Sequence, residues 1–309
     1  MIIGDYNIIT TPKPVVASQK KTNPTFCGHT IAEEFAKDGI YYLAHQTSFF
    51  REPATLEFVK KYIIKNFADQ NDVKILVGAC STGEEAITLS MLLNEIANKT
   101  KITAFDISKM AIQAAKRQVY FIQKTESDIH NSIYLKDIFL AFPTTKPLDE
   151  FQQKYKKLFD EFFTRIKNPI RCIFYDLFHD YYNVNHIVMK KNRYFRLNAD
   201  KALNCDFKVG DIRELNKVTD EKFDVRFFRN ALYHMVRPKM EATKKEIILS
   251  GIIENVKQAL KPNGIFVLSG YEHIQINDDK IIPKVMKKYG FTPVYSLSGN
   301  HIVWKNAPN

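Results

Sequence analysis

A loop bounded by two glycines is the first stretch of this sequence whose residue types suggest chemistry. After a short apolar run, the chain reads Gly78-Ala79-Cys80-Ser81-Thr82-Gly83-Glu84-Glu85 and then takes on helical periodicity. Glycines let a backbone turn tightly and approach a ligand closely just before a helix begins. The loop therefore predicts a binding site for a nucleotide or a nucleoside at the end of a strand.

The charges beside this loop separate three classes of ligand. A nucleoside triphosphate site requires Gly-Lys-Ser or Gly-Lys-Thr, whereas this loop ends in Gly83-Glu84-Glu85. A dinucleotide site requires the GxGxxG spacing and an uncrowded helix N-terminus, but two carboxylates occupy the first turn here. S-adenosylmethionine carries no phosphate and bears an ammonium and a sulfonium, so a neighbouring carboxylate attracts it. The acidic residues therefore favour S-adenosylmethionine.

A second acidic position, Asp106, ends the next apolar run, 23 residues after Gly83. A carboxylate at the end of a second strand can accept hydrogen bonds from both ribose hydroxyls of a nucleoside laid across the sheet. An aspartate at a strand end is also a common turn former or helix N-cap, and Ser108 is an equally good cap here. The separation of Asp106 from the loop favours the ribose role.

Four motifs follow one another along the chain. They are Thr47-Ser48-Phe49-Phe50-Arg51-Glu52, Cys80-Ser81-Thr82-Gly83-Glu84-Glu85, Asp106-Ile107-Ser108 and Arg229-Asn230-Ala231-Leu232. In their order and approximate spacing, over about residues 45–120 and 205–272, the chain resembles the chemotaxis-receptor (CheR-type) methyltransferases. The resemblance implies transfer of a methyl group from S-adenosylmethionine to glutamate side chains of a protein, with S-adenosylhomocysteine as the other product.

The same resemblance implies roles for individual residues. Gly78, Ala79, Cys80 and Glu85 would hold the methionine part of the cofactor, Asp106 with Ile107 the ribose, and Asp211 with Ile212 the adenine. Asn230 would line the methionine end, Thr47 and Arg229 would complete the cofactor-binding set, and Arg51 would reach over the reactive centre. We expect Arg51 to be catalytic, because its Phe-Phe-Arg context favours that role over a surface ion pair.

Two neighbouring residues, Tyr233 and His234, are candidates for the position where the family has an active-site tyrosine. The family pattern is Arg-Asn-x-x-Ile-Tyr, with tyrosine five residues after the arginine, whereas this chain has His234 there and Tyr233 one position earlier. Either side chain can hydrogen-bond a substrate or lie near the sulfonium. A histidine at a strand end is equally often a packing residue. Both Tyr233 and His234 therefore stay candidate catalytic residues.

The expected chemistry needs little beyond positioning. A glutamate carboxylate, with a pKa of about 4.3, is ionised at neutral pH and requires no general base. It requires alignment with the methyl group, exclusion of water and partial compensation of its charge. We assign the last task to Arg51 and expect no metal.

The predicted elements that position these residues alternate between strands and helices. Strands are predicted at residues 74–77, 102–105, 206–209, 223–228 and 265–269, and helices at 53–67, 84–97, 109–118, 244–260 and 281–289. Two final runs, 292–297 and 301–304, predict a hairpin. Strands that alternate with helices indicate a parallel sheet covered on both faces. Together with the resemblance, the pattern predicts a Rossmann-like, seven-stranded, mostly parallel methyltransferase sheet that ends in an antiparallel hairpin.

The predicted domain organisation has two parts. Residues 1–71 form a lead-in and a helical segment, and residues 72–309 form the methyltransferase domain. Residues 121–204 interrupt the α/β rhythm as an inserted subdomain, with helical periodicity around 151–166 and no clear parallel strand. The resemblance implies that this insertion stands where relatives carry a small receptor-docking β-subdomain, and that the N-terminal helical domain is shortened.

Composition indicates a soluble, cytoplasmic protein. The net charge of +11 comes from basic residues spread along the chain, and no stretch approaches the roughly 18 apolar residues of a membrane span. The four cysteines are far apart, so we expect free thiols and no structural zinc.

Several alternatives for partner and function stay open. The resemblance implies a protein substrate, with a chemoreceptor as one candidate. Nucleic acid is not expected, because the Asp/Asn-Pro-Pro-aromatic motif of amino methylation is absent and Asn230 is followed by Ala231-Leu232. The chain is alternatively a methyltransferase for another protein group or a small molecule, or a non-catalytic protein that binds S-adenosylmethionine and interacts with partners.

Overall fold

The computed structural model describes six ranges of the chain, residues 47–67, 69–122, 150–172, 193–236, 239–276 and 280–307. All of them belong to the unit that spans residues 44–309. The predicted lead-in before residue 47 lies outside the described residues, as do 123–149 and 173–192 of the predicted insertion.

Ten strands lie in the described ranges. They are β1 (Val73–Gly78), β2 (Thr100–Asp106), β3 (Val119–Ile122), β4 (Phe163–Arg165), β5 (Arg193–Leu197), β6 (Cys205–Val209), β7 (Phe223–Phe227), β8 (Leu260–Val267), β9 (Phe291–Leu297) and β10 (Asn300–Asn306). The α-helices are α1 (Pro53–Phe67), α2 (Glu84–Leu92), α3 (Lys109–Arg117), α4 (Glu150–Phe162), α5 (Leu215–Val218), α6 (Leu232–Met235), α7 (Ala242–Ala259), α8 (Gly270–Ile276) and α9 (Ile281–Lys288). Short 3-10 helices cover Asn94–Lys99 and Ile212–Glu214.

Seven of the strands form one sheet in the order β6-β2-β1-β7-β8-β10-β9. Strands β6, β2, β1, β7 and β8 pair in parallel, and β10 pairs antiparallel with both β8 and β9. The predicted Rossmann-like sheet with its C-terminal hairpin is therefore confirmed. The strand order reverses between β1 and β7, so a crevice is expected beside the carboxyl ends of these two strands.

The central strands are apolar because both faces of the sheet are covered. Every residue of β7 is buried, and so are all of β1 except Lys74. Ile75 and Val77 belong to one hydrophobic cluster and Leu76 to the other, as the two-residue period of a strand requires. Burying each such side chain stabilises the fold by about 1.5–3 kcal/mol.

Most predicted boundaries are close to the observed ones, with two informative differences. The predicted helix 84–97 ends as α2 at Leu92, and a 3-10 helix with a kink at Ile96 follows it. The predicted strand 265–269 starts earlier, as β8 at Leu260. Its pairing with β7 jumps from Phe223–Leu260 to Val225–Ile265, so residues 261–264 bulge out of the ladder. None of the helices in the described ranges is long and apolar enough to cross a membrane.

The described part of the insertion contains a small antiparallel sheet that the sequence analysis did not predict. Its order is β3-β5-β4, and β3 follows directly on α3. Helix α4 starts one residue before the predicted helical stretch 151–166, and the chain leaves the helix after Phe162 and continues as β4. Pairing of Phe163 with Leu197 overrides the helical periodicity there.

Candidate active site

The glycines of the predicted loop stand where a side chain would not fit. A Cβ atom at Gly78 would lie 3.0 Å from the rings of both Phe105 and Phe228. Gly83 has φ 94°, and a Cβ atom there would lie 2.8 Å from the ring of Phe207. Glycine at both positions lets the backbone turn from β1 into α2 against the neighbouring aromatic residues.

Two further residues of this loop have left-handed backbone conformations without being glycine. Ala79 has φ 53° and Ser81 has φ 51°, and each such conformation costs about 1–3 kcal/mol. Hydrogen bonds to β2 hold the loop in this shape. The Cys80 amide donates to the carbonyl of Phe105 at 3.0 Å, and the Ser81 amide donates to Oδ2 of Asp106 at 2.8 Å. Strain that is held in this way is typical of ligand-binding loops.

Asp106 lies at the carboxyl end of β2, as predicted, with a buried carboxylate. Oδ1 accepts the amide N–H of Ser108 at 2.8 Å, and Oδ2 accepts that of Ser81. Burial raises the pKa of Asp106, although the N–H groups of Ser108 and Ser81 act to lower it. Ser108 is the N-cap of α3, because its side chain accepts the amide of Ala111 at 3.2 Å. Asp106 is therefore free of the capping role that competed with ribose binding.

The carboxylate of Asp106 retains acceptor capacity for a ligand. Two carboxylate oxygens offer about four acceptor positions, and backbone amides use two of them. The remaining positions suit hydroxyl groups such as those of a ribose. Ile107, the next predicted residue, is half-buried between Asp106 and Ser108.

Asp211 and Ile212 lie beside Asp106, because the amide of Gly210 donates to the carbonyl of Asp106 at 2.9 Å. The carboxylate of Asp211 caps the 3-10 helix by accepting the amide of Arg213 at 2.9 Å, and it also pairs with the guanidinium of Arg213. Ile212 packs into the second hydrophobic cluster. The sequence analysis missed the pairing with Arg213, which engages the carboxylate assigned to the adenine.

Arg229 is wholly buried and joins three parts of the chain. Its Nη1 donates to Oε1 of Glu85 at 2.6 Å, and its Nη2 donates to Oε2 of Glu52 at 2.9 Å and to the carbonyl of Arg51 at 3.2 Å. Burial acts to lower the pKa of Arg229, but the carboxylates of Glu85 and Glu52 outweigh it and leave the pKa raised. Arg229 is therefore a permanent cation that fixes Glu85 and Arg51 at the end of β7.

The segment that carries Arg51 forms one wall of a small crevice. The crevice is lined by Ser48, Phe50, Arg51, Leu56, Glu85, Thr88 and Arg229. The amide of Phe50 donates to Oγ1 of Thr88 at 3.2 Å, and Phe50 and Glu52 have φ 53° and 48°. Thr47, half-buried, precedes this turn. The structure thus brings Arg51, Glu85 and Arg229 together.

Aromatic residues of α4 and the small sheet hold the same segment from the other side. The ring of Phe50 stacks on Tyr155, with centroids 4.6 Å apart and planes inclined by 9°. The ring of Phe49 meets the edges or faces of Tyr120, Phe159 and Phe163 at centroid distances of 5.1, 5.2 and 5.5 Å. The two phenylalanines of the first motif are therefore anchors in the core, and Phe50 also lines the crevice.

The residues after β7 place the two candidate catalytic side chains on one short helix. Asn230 has φ 57°, and its Oδ1 accepts a hydrogen bond from Oγ of Ser269 at 3.1 Å. Tyr233 is half-buried on α6, and His234 is exposed. Their ring centroids are 4.2 Å apart. Both lie on the short helix that follows Asn230.

Two acidic residues of the site, Glu52 and Glu272, were given no role from the sequence. Glu52 contacts Arg229 and also accepts the amide of Gly270 at 3.3 Å. Glu272, on α8, accepts the amides of Ala231 at 2.6 Å, Leu232 at 3.2 Å and Tyr233 at 3.0 Å. The one available signal for Glu272 was an acidic residue shortly after the predicted strand 265–269.

Metal ligands or a reactive thiol in this region would have to come from its His, Cys, Asp and Glu side chains. Among the residues that the structure describes, no three His, Cys, Asp or Glu side chains come together in a way that could hold a metal ion. Burial raises the pKa of the Cys80 thiol well above its usual range, and nearby Asp106 and Glu84 raise it further. Cys80 is therefore a packing residue of the loop and contributes its backbone to the site.

The sheet order, the glycine loop and the acidic residues at the ends of β1 and β2 define an S-adenosylmethionine-dependent methyltransferase of the Rossmann-like class. Residues 45–141 match the family model described as CheR methyltransferase, SAM binding domain, and residues 183–305 match a methyltransferase domain model. The first match covers the loop, Asp106 and Arg51, and the second covers Asp211 and Asn230. No curated protein matches the chain.

Solved structures with a similar fold are distant in sequence. The CurJ carbon methyltransferase is 13% identical over 94% of this chain and 72% of its own, with a TM-score of 0.43. The magnesium protoporphyrin IX methyltransferase of Synechocystis PCC 6803, with bound SAM, is 11% identical over 92% of this chain and 98% of its own, with a TM-score of 0.41. At this distance we transfer no residue role from them.

Proposed function

We propose that this methyltransferase acts on carboxylate side chains of a protein, with glutamate as the acceptor and a chemoreceptor-like protein as the class of substrate. The observation that carries the proposal is the position of Arg51. Its backbone is tied to Arg229, and it lines a crevice with Glu85. The guanidinium of Arg51 would bind and orient an incoming carboxylate.

The residues of the site suit S-adenosylmethionine. Asp106 would accept the ribose hydroxyls, the backbone of Gly78, Ala79 and Cys80 would follow the methionine part, and Glu85, Asn230 and Thr47 would line its end. Asp211 and Ile212 would flank the adenine, with Arg229 holding Glu85 in place. When bound, the cofactor supplies a methyl group activated by a positive sulfur.

The chain's own residues would then align the acceptor. The carboxylate is already ionised, so no proton needs to be removed. Arg51 would compensate part of its charge and fix its direction, which supports transfer mainly through positioning. Tyr233 or His234, next to Asn230, would hydrogen-bond the acceptor or exclude water from it.

The nature of the product tests this proposal. We would incubate the protein with methyl-labelled S-adenosylmethionine and host-cell extract, isolate the labelled proteins and expose them to mild alkali. A methyl ester has a carbonyl open to hydroxide, so the label should be released as volatile methanol. Asp106→Ala protein serves as the matched control, since it should label far less.

The other outcomes separate the alternatives. Label that survives alkali would show an N-methyl or ether product and refute carboxyl methylation, while methyl transfer itself would stand. Firm binding of S-adenosylmethionine with no labelled acceptor in any extract would indicate a non-catalytic binding protein.

A further inference from the structure

We propose that Glu272 is a positioning residue for the acceptor end of the site, where its carboxylate fixes the backbone of residues 231–233. In this way it sets the direction of Asn230 on one side and of Tyr233 and His234 on the other. The inference rests on the proposed function only in taking this segment as the wall beside the acceptor.

Three backbone amides converge on this one buried carboxylate. Oε1 accepts the amides of Ala231 and Leu232, and Oε2 accepts the amide of Tyr233. The side chain of Glu272 has no exposed surface. Three hydrogen bonds from consecutive backbone amides to one buried side chain leave the segment little freedom.

Ser269 and Gly270, which precede Glu272 in the chain, also make hydrogen bonds at this end of the site. Oγ of Ser269 donates to Oδ1 of Asn230, and the amide of Gly270 donates to Glu52, which is the partner of Arg229. Asn230 has a left-handed backbone, which persists only where its surroundings hold it. Residues 269–272 therefore fix both the strained corner at Asn230 and the turn that follows it.

A carboxylate is the one side chain that can make this arrangement. A glutamine has a single acceptor oxygen, so it can keep two of the amides but must place its own NH2 group against the third. With the oxygen on Ala231 and Leu232, the NH2 group faces the amide of Tyr233. Glu272→Gln therefore loosens the segment at Tyr233 without a change in side-chain size.

A control variant that weakens the attachment of the same helix, α8, separates positioning from stability. Lys245 on α7 is buried, and its Nζ donates to the carbonyl of Ile276 at 3.0 Å, at the end of α8. Lys245→Met removes this bond and so weakens the attachment of α8, but it does not touch residues 230–233. Both variants should lower the melting temperature.

The experiment compares the two variants in hydrogen exchange, cofactor binding and turnover per folded molecule. For Glu272→Gln we expect exchange of the Tyr233 amide to accelerate roughly ten- to a hundredfold, and turnover at saturating cofactor to fall by roughly tenfold or more. For Lys245→Met we expect wild-type exchange at residues 231–233 and wild-type turnover. Glu272→Asp, which keeps the charge but is shorter, should recover part of the turnover.

Three results would overturn the inference. Unchanged exchange at residues 231–233 in Glu272→Gln would mean that the carboxylate does not hold the segment. Faster exchange with wild-type turnover, or an equal loss of turnover in Lys245→Met, would make Glu272 merely structural. Failure of the proposed function appears separately, in the alkali test of the wild-type protein, and turnover of Glu272→Gln can then be followed with whichever acceptor is labelled.

Discussion

Nη1 of Arg229 lies 2.6 Å from Oε1 of Glu85, and the side chain of Arg229 is wholly buried. These residues are 144 positions apart in the sequence and come from the end of β7 and the first turn of α2. The ion pair is therefore a tertiary link across the crevice rather than a surface contact. Arg229 also pairs with the carboxylate of Glu52, which connects the segment before α1 to the same two elements.

Replacement of Arg229 by methionine should destabilise the protein strongly. It leaves the carboxylates of Glu85 and Glu52 close together in a poorly solvated place, and breaking such a buried pair costs about 3–5 kcal/mol. Lys156→Met is the matched control, because it breaks the exposed pair of Lys156 with Asp160 and should cost less than about 1 kcal/mol. Urea unfolding of both variants measures the difference, and equal losses would contradict the structural role of the buried pair.

Replacement of Asp106 by alanine should weaken binding of S-adenosylmethionine at least tenfold. The change removes two charge-assisted hydrogen bonds to the ribose, each worth about 1.5–3 kcal/mol. Ser108→Ala is the control, since it removes the N-cap of α3 at a cost of about 1 kcal/mol in stability and should leave affinity intact. Calorimetry on both proteins would refute the ribose assignment if Asp106→Ala bound as tightly as Ser108→Ala.

Replacement of Arg51 by alanine should reduce turnover far more than cofactor affinity. The guanidinium is assigned to the acceptor carboxylate, so its loss should act mainly on the transition state. Arg51→Lys, which keeps a point charge but loses the planar fork, should retain an intermediate rate. Single-turnover kinetics and calorimetry distinguish the two effects. A folded Arg51→Ala protein with wild-type turnover would make Arg51 structural.

Replacement of Arg226 by leucine should stabilise the protein by about 1–4 kcal/mol. Arg226 lies in the middle of β7 and is fully buried, and burial lowers the pKa of its guanidinium. Its best contact is a 3.4 Å bond from Nη1 to the carbonyl of Asn255, and within the described part of the chain its Nε and Nη2 have no hydrogen-bond partner. A lower free energy of unfolding in the leucine variant than in the wild type would contradict this expectation. It would show that the charge of Arg226 is compensated in the folded protein.

The pH dependence of stability should change in Glu272→Gln. Burial raises the pKa of Glu272 to about 7, although its three backbone N–H donors act to lower it, and the charge of Glu52 raises it further. The folded state therefore binds this proton more tightly than the unfolded state. The stabilisation that results from this raised pKa is complete below about pH 4.5 and is lost as pH rises through about 7.

The free energy of unfolding of the wild-type protein, relative to Glu272→Gln, should fall between pH 5 and 7.5 by up to about 3 kcal/mol. A difference that does not vary with pH would mean that Glu272 keeps its ordinary pKa.

Much of the sheet could be predicted because its local signals agree. Strand β1 is a continuous apolar run that ends in the glycine loop, and β2 ends in Asp106, so composition and turn residues indicate the same elements. The contact of the loop with Asp106 also follows, since the carboxyl ends of neighbouring parallel strands lie at one edge of a sheet.

The elements that were missed depend on distant partners. Tyr155, Phe159 and Phe162 have helical spacing, and nothing local signals that Phe163 pairs with Leu197 as the start of β4. The role of Glu272 is equally remote, because its amide partners lie about 40 positions earlier in the chain. Sequence periodicity predicts the secondary structure of the segment in which a residue lies. The roles of Phe163 and Glu272 depend instead on which distant segment packs beside them.

The aromatic contacts between the first motif and α4 have a consequence for synthesis of the chain. The hydroxyl of Tyr155 donates to the carbonyl of Pro53, 102 positions away, at 3.4 Å. At roughly 5–20 residues per second, a ribosome needs about 5–20 s to cover that distance. Tyr120 emerges first and can cover Phe49, but Phe50 waits for its stacking partner. During that interval Phe50 lacks the ring on which it stacks in the folded protein.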